Sequence, residues 1–320
     1  MNTHAKQYCK LLKYFPVIAI LLTGTVSTQA QVEPMFTQYI FNETFINPAY
    51  AGSHEGLAIN MLYRDQWAGL KGSPKTQTFS MHMPVKKKKI GIGLSVLNET
   101  IGISKMFLVS GDFAYRIRMP SSALAFGLKG GFVNHVENYS DVNTIVDGDR
   151  QFTNDVRKYF LPNAGFGIYY TIKREFYASF SIPRLLQNKI DPSKQNGVVQ
   201  NIGTLKIWHY YIATGYVFDV NENTKFKPSI MFKFVQNAPV ELDVSLNFIL
   251  GDMIWLGTAY RTGDAVSGLF GFQLSKLLRM CYSYDYTLTN LQKYSSGSHE
   301  FTISYDIGIY KTRITSLRYF

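Results

Sequence analysis

Cysteine is nearly absent from this 320-residue chain: Cys9 and Cys281 are the two it has. Cys9 lies in a leading stretch with the marks of a secretory signal. That stretch has a basic start (Lys6, Lys10, Lys13), a short apolar run over 14–22 (YFPVIAILL), and Thr28-Gln29-Ala30 before Gln31 as a cleavage site. Removal of residues 1–30 leaves Cys281 alone, so the exported chain forms no internal disulfide. Cys9 precedes the apolar run, which excludes a lipid-acceptor cysteine following one. No run of eighteen apolar residues follows the signal, so membrane-spanning helices are excluded. Catalytic signatures are also missing: there is no HExxH and no GxSxG, and His82, His135, His209 and His299 are scattered. No enzyme activity, metal or cofactor is expected.

Acidic residues are in short supply. The net charge is +11 and falls to +8 (11 − 3) without the three signal lysines. A basic balance suits nucleic acid, but an exported chain does not meet it, so nucleic acid is not an expected partner. Anionic lipid headgroups are the simpler counterpart.

What is present is alternation. In 241–250, ELDVSLNFIL, Leu242, Val244, Leu246, Phe248 and Leu250 point one way while Glu241, Asp243, Ser245 and Asn247 point the other. About fourteen such segments occur, near 56–64, 75–83, 90–97, 105–117, 122–133, 163–172, 174–182, 208–218, 224–236, 240–249, 253–261, 265–275, 277–286 and 298–308. The connections sort by parity. Tight links (84–89, 119–121, 173, 219–223, 276) follow even strands, whereas long ones (65–74, 134–162, 183–207, 287–297) follow odd strands. A soluble sandwich has no reason to sort its loops; an outer-membrane barrel has short periplasmic turns and long outside loops. The expected fold is all-β: a transmembrane antiparallel β-barrel of about fourteen strands, plugged or closed. The expected location is the outer membrane.

The inward faces are polar and of mixed sign: Asp112, Arg116, Lys129, Lys227, Lys233, Glu241, Asp243, Arg261, Arg279, Asp285 and Glu300. They fit either a channel lining or a plugged interior whose charges pair with one another. Residues 31–55 do not alternate and are rich in aromatics, including Phe36, Tyr39, Phe41 and Tyr50. Such a stretch does not dangle in water. It is expected to plug or cap the barrel from the periplasm, or to dock on a partner. The expected organisation is a signal peptide (1–30), an aromatic periplasmic segment (31–55), a barrel (56–308) and a tail (309–320).

Several stretches resemble one known family: PMFTQYIFNETFINPAYAG (34–52), RDQWAGLKGSPKTQTFSMHMP (64–84), IGIGLSVLNETIG (90–102), SIPRLL (181–186), WLGTAYRTGDAVSG (255–268) and the closing SLRYF (316–320). Together they are similar to the PorP/SprF family of Bacteroidetes type IX secretion proteins. Family members often have Pro-Leu where Glu43-Thr44 stand and Ser-Pro-Arg-Tyr-Phe at the end, where this chain has Leu317. The resemblance implies an outer-membrane barrel of the type IX secretion and gliding apparatus. Its partners would be a secreted cargo, bound through the cargo's C-terminal domain for export or surface retention, or periplasmic and outer-membrane machinery.

Candidate partner-binding residues follow from loop position and chemistry. Trp67 with Lys71 lies in the first outside loop, as an interfacial anchor or a binding hot spot. Arg261 and Asp264 bracket a short turn, either pairing within the barrel mouth or offering Arg261 to a cargo carboxylate. Lys105 and Tyr294 add basic and aromatic groups on outside loops. The N-terminal segment adds Met35, Phe36, Tyr39, Phe41 and Tyr50. The alternative function is a transporter or porin for small or hydrophobic solutes.

The parity of the loops yields a topological prediction. Membrane-impermeant reagents applied to intact cells reach cysteines placed in 134–162 and 183–207 and spare Lys86→Cys. Labelling of Lys86→Cys without permeabilisation would reverse the orientation.

Overall fold

The computed structural model describes residues 34–85, 89–138, 156–173, 175–190, 198–201, 208–235 and 238–308. The proposed signal (1–30), the lysines at 86–88, loop residues 139–155, 191–197 and 202–207, and the tail at 309–320 lie outside the described residues.

Alternation folds as expected, into fourteen antiparallel strands closed on themselves. In chain order they are β1 Leu57–Asp65, β2 Lys75–Val85, β3 Ile90–Ile101, β4 Ser104–Arg118, β5 Ser122–Asn138, β6 Val156–Ile172 and β7 Phe176–Ile182. There follow β8 His209–Tyr216, β9 Thr224–Val235, β10 Glu241–Leu250, β11 Ile254–Arg261, β12 Ala265–Gln273, β13 Leu278–Thr287 and β14 Ser298–Ile307. Each strand pairs with its chain neighbour, and β1 pairs with β14 from Leu57↔Ile307 to Asp65↔His299 to close the ring. Full closure leaves no free sheet edge.

Three details differ from the sequence expectation. The ladder of β5 and β6 continues to Asn138↔Val156, so this hairpin runs further than alternation alone marks. The connection after β7 carries its own small hairpin, Gln187–Ile190 with Val198–Asn201. Strand β8 is interrupted at Val217, whose N–H turns aside to donate to Glu175 O at 2.6 Å, and pairing with β9 resumes at Phe218–Asn221.

The two faces separate by chemistry. Phe113, Leu128, Phe248, Phe270 and Phe301 are 45–59% exposed on the outside. A belt of this extent is far beyond what a soluble surface carries and suits hydrocarbon. No helix among the described residues is long and apolar enough to cross a membrane; the strands do the crossing. On the inside, Asp112, Lys129, Lys227, Asp243, Arg261, Asp285 and Glu300 are all buried. Several of these inward-facing groups bond to the chain's own N-terminal segment.

The sequence leaves residues 31–55 as a plug or cap entering from the periplasm, or as a segment docked on a partner. In the structure Pro34–Gly52 runs beside inward-facing side chains of the barrel wall. Phe36, Thr37 and Gln38 lie beside Arg261, Asp285 and Glu300 toward the long-loop end. Ala51 and Gly52 lie beside Arg116 and His82 toward the tight-turn end, where β1 begins. The path is made of short pieces, Tyr39–Phe41, Glu43–Ile46 and Pro48–Tyr50. Asn47 caps the last piece by accepting from Ala49 N–H at 2.9 Å.

Glycine makes room for the lower part of this path. A Cβ on Gly91 would meet the Ala51 carbonyl, one on Gly127 the backbone of Pro48 and Ala49, and one on Gly167 the Asn47 side chain. Three strands thus present a smooth strip where the segment's backbone touches the wall.

Gly127→Val is expected to cost about 1–3 kcal/mol through overpacking and to expose the N-terminal segment to protease. Gly130→Val lies in the same strand where an added Cβ meets nothing within 4 Å, and is expected to behave as the parent. The urea midpoint for loss of the compact, heat-modifiable form on electrophoresis measures both. Equal behaviour of the two variants would remove the glycine strip from the account.

Candidate functional site

The lumen is a polar core, and its most heavily bonded point is the closure seam. Arg64 of β1 stands directly opposite Glu300 of β14 in the register. Its guanidinium lies 2.9 Å from Glu300 Oε2 and 2.7 Å from Asp285 Oδ2 of β13. The same two carboxylates hold the segment. Thr37 N–H donates to Glu300 Oε2 at 3.0 Å, Gln38 N–H to Glu300 Oε1 at 2.7 Å, and Thr37 Oγ1 to Asp285 at 2.8 Å. Gln38 Nε2 adds bonds to Ser283 Oγ and to the Glu300 carbonyl. Arg64 and Glu300 are 1% and 0% exposed, and charges this deep persist only when paired and hydrogen-bonded.

Other wall cations bind the segment's backbone. Arg261 donates to Asp243 at 2.8 Å and to the Phe36 carbonyl at 3.1 Å. Lys129 lies 3.0 Å from Asp112 and donates to the Thr44 carbonyl at 3.1 Å. Arg116 donates to the carbonyls of Gly52 and Ala51. A segment with little regular structure leaves its carbonyls and N–H groups without internal partners, and the wall supplies them.

Aromatic side chains fill the remaining space. The Phe41 ring meets Trp255 edge-on at 5.3 Å, with the Arg279 guanidinium 4.4 Å from the Phe41 centroid. Tyr50 packs edge-on against Tyr169 and His82, and Tyr169 stacks on Tyr177. Phe36 leans on Phe45.

The residues singled out from sequence thus divide into two groups. Met35, Phe36, Tyr39, Phe41, Tyr50 and Arg261 are buried within the barrel, with their contacts made to its wall and to one another rather than offered on a surface. Asp264 is half-buried and ion-paired to Arg261 at 3.3 Å. Lys71, Lys105 and Tyr294 are exposed, Tyr294 at 70%, and Trp67 is half-exposed. The structure brings this second group to one rim. Trp67 N–H donates to Ser298 Oγ, Ala68 N–H to the Gly297 carbonyl, and Ser296 N–H to the Ala68 carbonyl, tying the Trp67 loop to the Tyr294 loop. Gly102 N–H donates to the Gly72 carbonyl, joining the Lys71 loop to the turn before Lys105. Trp67 itself has φ +53°, an uncommon conformation for a bulky residue.

Sequence reasoning did not single out Arg64, Thr37 or Gln38. Glu300 and Asp285 were legible as inward charges, but their partners come from strands and a segment far away in the chain. Among the described residues no group of His, Cys, Asp and Glu side chains could hold a metal ion, and Cys281 is buried and unbridged.

Comparison with known proteins adds the following. The family model described as type IX secretion system membrane protein PorP/SprF matches residues 28–305. No curated protein sequence matches. Among solved structures, the chain is similar to the CymD monoaromatic hydrocarbon channel, with TM-score 0.50 and 9% identity over 85% of this chain and 93% of that one. It is also similar to the Acinetobacter baumannii outer membrane protein Omp33 (TM-score 0.47, 8% identity, 79% and 98% covered). A Pseudomonas aeruginosa FadL homologue gives TM-score 0.46 and 10% identity over 86% and 95%. At such identities the likeness concerns the fold.

The seam generates its own prediction. Glu300→Ala strips Arg64 of one counter-charge and leaves two buried N–H groups without an acceptor, at an expected cost of about 3–5 kcal/mol. Arg64→Met leaves Glu300 and Asp285 as two buried carboxylates without their counter-charge and is expected to cost more than Glu300→Ala, which leaves Arg64 paired with Asp285. Urea midpoints in detergent decide; an Arg64→Met variant as stable as Glu300→Ala would show that the ion pairs are not what holds the seam.

Proposed function

The chain belongs to the type IX secretion system membrane protein PorP/SprF family and is an outer-membrane barrel. On that premise we propose that it acts without catalysis, binding a secreted protein, or the machinery that delivers it, at the long-loop rim and holding it at the outer membrane. The observation that carries this reading is the use of the lumen. Wall charges that a conduit would leave facing water are spent on the chain's own segment, through Arg64, Glu300, Asp285, Lys129, Arg261 and Arg116. What remains free for recognition is the rim.

The rim supports the reading in a second way. Trp67, Lys71 and Tyr294 offer aromatic and basic groups on loops, and Lys105, which the sequence places on an outside loop, stands at the start of β4 beside them; carried by a rigid ring, the combination suits protein recognition. The runner-up function, passage of small or hydrophobic solutes, requires Pro34–Gly52 to leave the lumen and break the bonds described above.

Two measurements test the proposal together. The purified barrel in planar bilayers is expected to stay electrically silent, whereas steady large channels would favour the runner-up. In cells, Trp67→Ala with Tyr294→Ala is expected to shift secreted protein from the cell surface to the medium while the barrel stays inserted and heat-modifiable. Unchanged retention of every secreted protein would move recognition away from the rim.

A further inference from the structure

On the outer wall, toward the long-loop end, a polar block interrupts an aromatic row. The register carries this row across the seam as Phe270, Tyr282, Phe301 and Tyr63 on successive strands. It continues as Gln77 on β2 and Asn98 on β3, and returns to an aromatic at Phe107 on β4. Aromatic rows of this kind mark the boundary between hydrocarbon and headgroups. Gln77 and Asn98 break it at exposed positions, with Asn98 Nδ2 donating to Gln77 Oε1 at 3.4 Å.

One step nearer the loops, the same three strands carry Lys75, Thr100 and Lys105, each directly opposite the next. Lys75 and Lys105 are exposed, and two strand spacings of about 4.8 Å put their backbones roughly 10 Å apart. Among the described residues neither ammonium has an ion-pair partner; Asp65 stands opposite Lys75 on β1 but does not pair with it. One step in the other direction, toward the middle of the membrane, the wall is apolar, with Phe79, Val96 and Val109 in register.

Cations at headgroup level, amides beneath them and an apolar wall below match the order of groups in one kind of lipid. We propose that this block binds a phosphorylated glycolipid of the outer leaflet. Its phosphate lies between Lys75 and Lys105, its sugar meets the amides of Gln77 and Asn98, and its acyl chains run down Phe79, Val96 and Val109. Charge complementarity argues for an anionic lipid, and the amide pair for one whose headgroup carries hydroxyl and amide groups. Loop parity turns this end of the barrel toward that leaflet. Trp67 and Tyr294 project from loops, whereas Lys75 and Lys105 stand on strands, so the block is separate from the proposed protein-binding rim.

The full-length barrel in detergent is titrated with diphosphoryl lipid A, with its dephosphorylated form and with phosphatidylglycerol, and native mass spectrometry reads the fraction that keeps one lipid. Diphosphoryl lipid A is expected to bind about tenfold tighter than either of the others. Lys75→Gln/Lys105→Gln is expected to weaken it about thirtyfold, at about fivefold for each lysine, while the barrel stays heat-modifiable. Lys276→Gln/Lys293→Gln removes two exposed lysines elsewhere and is expected to stay within about twofold of the parent. Gln77→Phe/Asn98→Phe completes the aromatic row, keeps both lysines, and is expected to bring lipid A down to the level of phosphatidylglycerol. Equal binding of the three lipids, binding of lipid A that survives the loss of Lys75 and Lys105, or an equal loss in the control pair would each overturn the proposal. Lipid A binding unchanged by the two phenylalanines would overturn it too, in favour of a contact with phosphate alone. Retention of secreted protein reads the rim and lipid affinity reads this block, so the two readings fail separately.

Discussion

A single set of ion pairs closes the barrel and seats its contents. Arg64 on the first strand faces Glu300 on the last, and Asp285 on the strand before completes the set. The seam of the ring and the docking of Thr37 and Gln38 therefore use the same two carboxylates. Desolvating three charges is expensive, and what offsets it is that every one is met by more than one partner. Around this point the rest of the lumen is organised: cations that reach backbone carbonyls, aromatic rings that fill volume, and glycines that let the segment lie against the wall.

This arrangement inverts an ordinary soluble protein. The apolar residues that would form a core face outward, and the polar ones form the interior. Lipid offers the outer face no hydrogen bonds, so the ladders satisfy the strand backbones completely. The segment has no ladder of its own, and its backbone is met by side chains from five strands, β2, β4, β5, β11 and β14. Its aromatic content then has a physical meaning different from docking on a partner. Phe41, Tyr50 and Phe36 pack against neighbouring rings and the Arg279 guanidinium inside the barrel.

Much of the barrel could be read from the chain before its structure. The period of two in 241–250 or 298–307 fixes which side chains point in, and sorting of long and short connections fixes an even count and a common end for the long loops. The candidate site was only half legible. Exposed rim residues such as Trp67 and Tyr294 lie in loops that sequence places outside. The lumen network was not legible, because alternation tells that Glu300 faces inward but not what it meets there. Nor does the segment's composition tell which way it runs: an aromatic stretch without period gives no register. The extension of β5 and β6 was missed for a similar reason, since Asn134–Asn138 carry polar residues on both faces where the hairpin leaves the apolar belt.

The path of the segment has a consequence for how the molecule is assembled. Gln38 and Glu300 are 262 positions apart, so the first part of the barrel's interior waits for the last strands to be laid down. Once β1 and β14 have paired, the interior can be reached only through the two ends, and the segment is joined to β1 at one of them. The ring is most simply completed around a segment already in place, which makes closure a test of its own contents. A chain lacking β13 and β14 keeps most of its strands but has neither seam nor clamp. The last strands to emerge thus decide whether the earliest residues have found their position, a long-range dependence of the kind that slows folding while ensuring that an incomplete barrel does not pass for a finished one.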